Sequence, residues 1–507
     1  MVKQLRPVRV SARVSTLPAS PDPAARPEPG AAPAAVQATA PGLLLFVVVV
    51  LLIPGTFQVA GSVLSPYRVL LLALFPFLVR RWLTDTGNHP GTVDLLMLAS
   101  CLWLWLSLIA NHGLSTLPRA TIVFVEMFGG YLVGRTLIRN RIDHRNYFRF
   151  LTLALLVLLP FLVLEALTLV NIPRMIADTV LSVPPRTTHL GYRLGIHRAQ
   201  GTMDHPILFG LVASIGVANV AYIWRNSLPQ AVVRTLLFTG TVFLTVSSGP
   251  LLSVAIQFVL MAWDRTLAFL RFRWVLLGYL ALLGVLVMLI GEAFHLRDFI
   301  VDNLSFSQAS AEGRFVVLDY GMMEVRQHPL FGIGLNDWAR PWWRENETTF
   351  DNFWLGHAMR YGVPTFAFLA LAWGLNFARI AMQTTLSPEE TDYRRGYLIA
   401  LTGLTIVLGT VNMWNAPAVF VMIYVGAGGW FYIRPREVDD REAAARSRRA
   451  AQARAFGTAA IGTQAASGGT TSSTAPSSTA LSNGATSNGA GSRRPGNGSR
   501  QSGRVPA

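Results

Sequence analysis

Apolar residues run along this chain in long blocks, and charged residues gather in short clusters between them. Apolar runs of roughly 18 or more residues predict transmembrane helices. On the roughly 20-residue criterion the pattern predicts about twelve spans. They are placed at 41–59, 65–83, 93–111, 118–138, 149–171, 206–225, 231–248, 250–265, 272–293, 353–379, 396–413 and 415–433. Ser247-Ser248-Gly249-Pro250 separates the seventh from the eighth, because these residues break what would otherwise read as one long helix. The predicted fold class is an all-α integral membrane protein.

The polar remainder divides the chain. Residues 1–40, rich in Ala, Pro and Arg, predict a disordered cytoplasmic tail; a signal peptide would carry its apolar core nearer the N-terminus. Residues 434–507 predict a second disordered cytoplasmic tail, since a Gly, Ser, Thr and Ala composition cannot bury enough apolar surface to fold. Between them, 41–433 is the membrane domain. Arginine clusters at 80–81, 135–145, 225–234, 265–273, 379–395 and 434–436 all fall on one side of an even number of spans, which places both termini in the cytoplasm. Two long loops, about 172–205 and 294–352, are then left outside. Both carry arginines that topology alone does not require.

Composition narrows the class further. The 507 residues are 52% hydrophobic and only 14% charged, whereas a soluble chain carries about a quarter charged residues. The formal charge of +16 falls largely in short loops and tails. No basic stripe with interleaved stacking aromatics accompanies it, so no nucleic-acid partner is expected. Cys101 is the sole cysteine, which excludes a disulfide framework and a thiolate metal site.

The candidate chemistry sits in the two outer loops. Arg193 and Arg198 can hold phosphate oxygens through bidentate guanidinium contacts. Gly313-Arg314 opens a predicted amphipathic helix whose Phe315, Leu318, Met322 and Val325 share one face. Pro329 ends it near Arg326 and His328, and Phe331-Gly332-Ile333-Gly334 reads as a flexible turn. Trp338, Trp342, Trp343 and Trp354 suit sugar stacking and also an interfacial aromatic belt. Neither loop carries HExxH or a DxD pair, and His197, Asp204 and His205 lack metal-site spacing, so no metal is expected. No phosphate-binding glycine loop or cofactor motif is present. Within the spans, Glu126, beside Arg119 and Arg135, and Glu165 are the ionisable groups that a transport path would use.

Three segments resemble the O-antigen ligase and Wzy-type polysaccharide polymerase superfamily. Arg198-Ala199-Gln200-Gly201 leads to His205-Pro206. Arg314 leads to His328-Pro329-Leu330-Phe331-Gly332-Ile333-Gly334. Asp351-Asn352 leads to Arg360-Tyr361-Gly362-Val363-Pro364. The distance from Asn352 to Gly362 is similar to the ligase pattern of His-Asn, nine residues, Gly, with Asp351 here in the histidine's place and Thr365 in that of the second closing glycine. The resemblance spans roughly 42–433. It implies a glycosyltransferase C-like, metal-independent membrane enzyme without cofactors, in a bacterial inner membrane, with a large periplasmic loop. The implied substrates are undecaprenyl-diphosphate-linked oligosaccharides, with membrane lipids and other polysaccharide assembly proteins as partners. On this reading Arg198 and Arg314 hold the diphosphate and Asp351 orients or deprotonates the acceptor. Arg193, Arg326, His328 and Arg340 are substrate-binding candidates. Polymerase is favoured over ligase, and a lipid-linked oligosaccharide flippase is the alternative class.

Overall fold

A computed structural model describes residues 39–59, 62–85, 89–183, 192–290, 308–344 and 350–433. Both tails lie outside this set, apart from Thr39 and Ala40. Thr39 is held: its amide and hydroxyl donate to the Asp143 carboxylate at 2.7 and 2.6 Å.

The described chain is mostly helical. In order it runs α1 (Pro41–Leu51), α2 (Pro66–Thr84), α3 (Thr92–His112), α4 (Leu117–Phe124), a π turn (Val125–Gly129), α5 (Gly130–Leu137), α6 (Arg141–Thr168) and α7 (Ile172–Asp178). It continues with α8 (Pro206–Ser214), α9 (Gly216–Ile223), α10 (Leu228–Leu244), α11 (Ser248–Thr266), α12 (Arg273–Ile290) and α13 (Gln308–Gln327). The last helices are α14 (Phe353–Tyr361), α15 (Val363–Ala381), α16 (Pro388–Val407) and α17 (Asn415–Ala427). Two short hairpins, β1–β2 (Phe57–Val59 with Ser62–Leu64) and β3–β4 (Tyr192–Arg193 with Ile196–His197), add sheet that the all-α expectation lacked. The first predicted span is shortened: α1 stops at Leu51 because Pro54 disfavours helix in the residue before it, and β1 occupies 57–59.

Among the described residues, five helical stretches are long and apolar enough to cross a membrane, against about twelve predicted. They are Thr92–His112, Leu114–Leu137, Arg141–Thr168, Pro206–Ile223 and Val363–Ala381. The chain is a membrane protein by these helices. Its polar contacts sort into two sets. One set of contacts involves arginines that the sequence assigned to a single side, the 434–436 cluster lying outside the described residues. Arg139 pairs with Asp85 and Arg135 with Asp94, while Arg379 donates to Thr92. Arg141 pairs with Glu389, Arg225 with Asp392, and Arg273 with Asp264. The second set involves Arg68, Asp204, Asn415, Arg198, Ser247, Ser248 and Arg314.

One interface positions part of the second set. Along α5 and α17 the backbones touch. A Cβ on Gly134 would stand 2.7 Å from the Ala427 amide nitrogen, with the Ile423 carbonyl in its way. Small residues let helices approach this closely in lipid. The contact fixes the π turn beside the start of α17, so Glu126 faces Asn415.

Candidate functional site

The first part of the site is built on a clamped loop. The β3–β4 hairpin pairs Arg193 with Ile196 and delivers the chain to Arg198. The next residues are tied down: Ala199 N–H donates to Leu244 O (3.0 Å), and the amides of Gln200 and Gly201 donate to the buried Glu165 carboxylate at 3.1 and 2.9 Å. Glu165, expected as an intramembrane ionisable group of a transport path, thus anchors this loop. With its backbone held, the buried Arg198 extends Nη2 to Ser247 Oγ at 2.9 Å and Nε to Thr245 O at 3.4 Å. Val246 between these acceptors has φ +40°, a conformation a β-branched residue adopts only under strain, and such strain gathers at functional sites.

Arg314 reaches the same turn from α13. Its Nη2 lies 3.3 Å from Ser248 Oγ, and its buried Nε has no hydrogen-bond partner among the described residues. Burial pulls its pKa below the usual range; Asp351 opposes that and Arg193 adds to it. Arg198 and Arg193 likewise press on His205, whose pKa burial and these two charges hold down at about 4. A neutral ring is what its position needs, because Nδ1 caps α8 by accepting from Ile207 N–H at 3.2 Å. Arg198 and Arg314 therefore converge on the first turn of α11, with Arg193 near enough to act electrostatically on Arg314 and His205; the positive end of the helix adds to their potential.

Asp351 stands just ahead of α14, and the flanking spacing has a structural meaning. Asn352 caps the helix, its Oδ1 accepting from Leu355 N–H at 2.9 Å. Gly362 ends it with φ +90°, where any side chain would collide with the Leu330 carbonyl. The Asn-nine-Gly pattern is the length of one capped helix. The Phe331–Gly334 segment is not the flexible turn that was expected. Ile333 and Gly334 amides donate to Met359 O and Arg360 O at 2.9 and 2.8 Å, Val363 N–H donates to Pro329 O at 2.8 Å, and Asn111 Nδ2 donates to Phe331 O at 3.0 Å. It fastens α13 to α3 and α14.

The remaining predicted residues are not brought to this cluster. Arg326 and His328 are exposed at the far end of α13, about 18 Å along the helix from Arg314 at 1.5 Å per residue. Arg340 pairs with Asp337 and lies 5.5 Å over the Trp338 ring. The buried face of α13 also differs. Gly313, Val317, Gly321, Glu324 and Val325 point inward, while Leu318 and Met322 are exposed, because Gly321 lets Leu355 pack against the helix backbone. That helix starts at Gln308, ahead of the expected Gly313. Trp338 is buried; Trp342 and Trp343 are exposed.

The second part of the site is a cavity of about 780 Å³ beside the π turn, a helical irregularity frequent at functional positions. Glu126 lines it, but it does not partner Arg119 or Arg135. It accepts from Tyr67 Oη at 2.7 Å and Arg68 Nε at 2.8 Å. Arg68 Nη2 donates to Asn415 Oδ1 (2.9 Å), and Asn415 Nδ2 donates to Asp204 Oδ2 (2.7 Å). Asn415 has φ +57°. Asp204 and His205 thus join the cavity to the arginine cluster, and the His205 ring lies 6.4 Å from that of Trp414 on the cavity wall. The sequence reading gives no site role to Arg68 or Asn415, has Arg360 only within a motif, and takes Ser247 and Ser248 only as a turn. Among the described residues no three His, Cys, Asp or Glu side chains gather as a metal site.

Comparison with curated proteins gives no match. Residues 234–370 match the family model described as O-antigen ligase, and that stretch contains the strained turn before α11, Arg314 and Asp351. Over residues 234–370 the chain is thus similar to the O-antigen ligase family, in line with the resemblance seen in the sequence.

Proposed function

We propose that the protein is a polysaccharide polymerase. In this reading it transfers a growing glycan from undecaprenyl diphosphate to another lipid-linked repeat unit at the outer face of a bacterial inner membrane. The observation that carries this reading is the meeting of Arg198 and Arg314 on Ser247 and Ser248, with Arg193 and Asp351 close enough to act electrostatically on Arg314. A diphosphate is the ligand such a cluster suits. Its oxygens would pair with the guanidinium groups and satisfy the buried Arg314 Nε, whose unmet hydrogen bond costs about 1–3 kcal/mol.

The reaction follows from the charges. The acceptor hydroxyl oxygen forms a bond to the donor's anomeric carbon. The bond from that carbon to the diphosphate oxygen breaks, and the diphosphate leaves with the electron pair. Arg198 and Arg314 stabilise the negative charge that builds on it. The acceptor's proton passes to Asp351. A ligase passing the glycan to lipid A-core would use the same cluster. Polymerase is preferred because Asp351 occupies the place of the ligase pattern's histidine. The flippase alternative loses support, since Glu126 and Glu165 are both engaged in fixed hydrogen bonds.

The test is a gel profile of surface polysaccharide from a deletion strain complemented with wild type, Arg314→Ala or Asp351→Ala. Loss of long chains with single repeat units retained is expected of both variants. Full-length product from Arg314→Ala contradicts the site. Long chains held on the lipid carrier with bare lipid A-core indicate the ligase, and untranslocated units indicate a flippase.

A further inference from the structure

The cavity beside the π turn is not used by the arginine cluster, and its lining has a chemistry of its own. Arg68, Arg119 and Arg360 face it with Glu126 as the carboxylate among them. Arg68 is matched by Glu126 at 2.8 Å. Arg119 has no carboxylate within ion-pair distance among the described residues, and Arg360 is held by the Gly334 carbonyl (3.4 Å) and the Phe350 ring (4.8 Å). Among the described residues, the cavity lining therefore carries excess positive charge. It also offers Glu126, Asn412 and Asn415 to hydroxyl groups, and Phe350, Tyr361 and Trp414 as ring faces. A volume of about 780 Å³ lies within the roughly 300–1,000 Å³ of small-ligand sites.

Its position matters as much as its lining. Asp351 lies between Phe350 and Phe353, both on the cavity wall, while its charge acts on Arg314 in the other cluster. On a second side, Asn415 bonds both Arg68 of the cavity and Asp204, the neighbour of His205. The two basic regions thus flank one shared wall.

We propose that this cavity is a second glycan site, taking the phosphate-bearing sugar head of the acceptor while the Arg193, Arg198 and Arg314 cluster takes the donor diphosphate. Arg119 and Arg360 hold the phosphate, and Glu126 and Asn415 hold sugar hydroxyls. The inference rests on the transferase reading above and adds to it where the second substrate binds.

Full-length protein in lipid nanodiscs, titrated calorimetrically with a farnesyl-diphosphate-linked disaccharide, tests it. Wild type is expected to bind two equivalents. Arg119→Gln with Arg360→Gln is expected to retain one, and Arg314→Gln to retain the other. If the double variant fails to fold, Arg119→Gln alone, at an exposed position, is expected to weaken one of two sites about tenfold. A single wild-type equivalent lost only in Arg314→Gln overturns the cavity site and leaves the proposed function standing. No binding by wild type overturns both. Inorganic phosphate filling the cavity as tightly as the disaccharide probe overturns glycan recognition there.

Discussion

His205 shows how one residue reads the site around it. Its Nδ1 must stay unprotonated to cap α8, and burial with Arg198 and Arg193 holds its pKa at about 4. The unfolded value is about 6.5, so between those values the unfolded state binds more protons. This contribution to stability is present above about pH 6.5 and is lost as pH falls toward 4. Histidine-labelled NMR of the protein in detergent should show the His205 ring neutral at pH 6. Added pyrophosphate should raise its midpoint, because an anion on the neighbouring arginines relieves their repulsion. A midpoint at 6.5 with no response to pyrophosphate contradicts the cluster. The sequence carried a usable signal for such residues. Arg68, Arg119 and Arg360 are arginines left over once the same-side clusters are assigned, just as Arg193, Arg198 and Arg314 are. The first three carry no binding role in the sequence reading because they sit inside spans and not in loops.

At the scale of elements, two sequence patterns have a plain structural origin. Asn352 and Gly362 are the two caps of α14, and that helix carries Phe353 and Arg360 to the cavity. Asn352→Ala should cost about 1 kcal/mol through the lost cap. Gly362→Ala should cost more, since it forces positive φ on a side chain and meets the Leu330 carbonyl. Thermal melts in detergent rank the two, and the reverse order contradicts the capping account. The helix at 308–327 was legible as a helix from its spacing, and its end at Gln327 from Pro329. Its inward face was not, because a glycine counts as neither apolar nor polar, and yet Gly321 marks where Leu355 packs on the helix backbone. The Phe331–Gly334 turn misled for a related reason: glycine there permits close docking, which composition alone reads as flexibility.

Over the whole molecule, the arginine pattern assigned six clusters to one side, and ion pairs join four of those loops to one another: Arg139 with Asp85, Arg141 with Glu389, Arg225 with Asp392. A periplasmic reporter fused near Ser310 is expected to be active, and a cytoplasmic signal there contradicts the orientation. Helix packing supplies what the arginines cannot. Gly134 lets α5 touch α17 and so sets Glu126 opposite Asn415. Gly134→Leu should abolish the folded protein or open this contact, seen as loss of monodisperse protein on size exclusion; an unchanged profile and melt contradict the close approach. The central claim is that Arg314 stabilises a departing diphosphate. Its most direct measurement is elongation of undecaprenyl-diphosphate-linked repeat units by purified protein, with the released undecaprenyl diphosphate counted. The account predicts one lipid diphosphate released per bond formed by wild type, and a rate lower by about 10²–10³-fold for Arg314→Ala. Elongation at the wild-type rate by Arg314→Ala would contradict it.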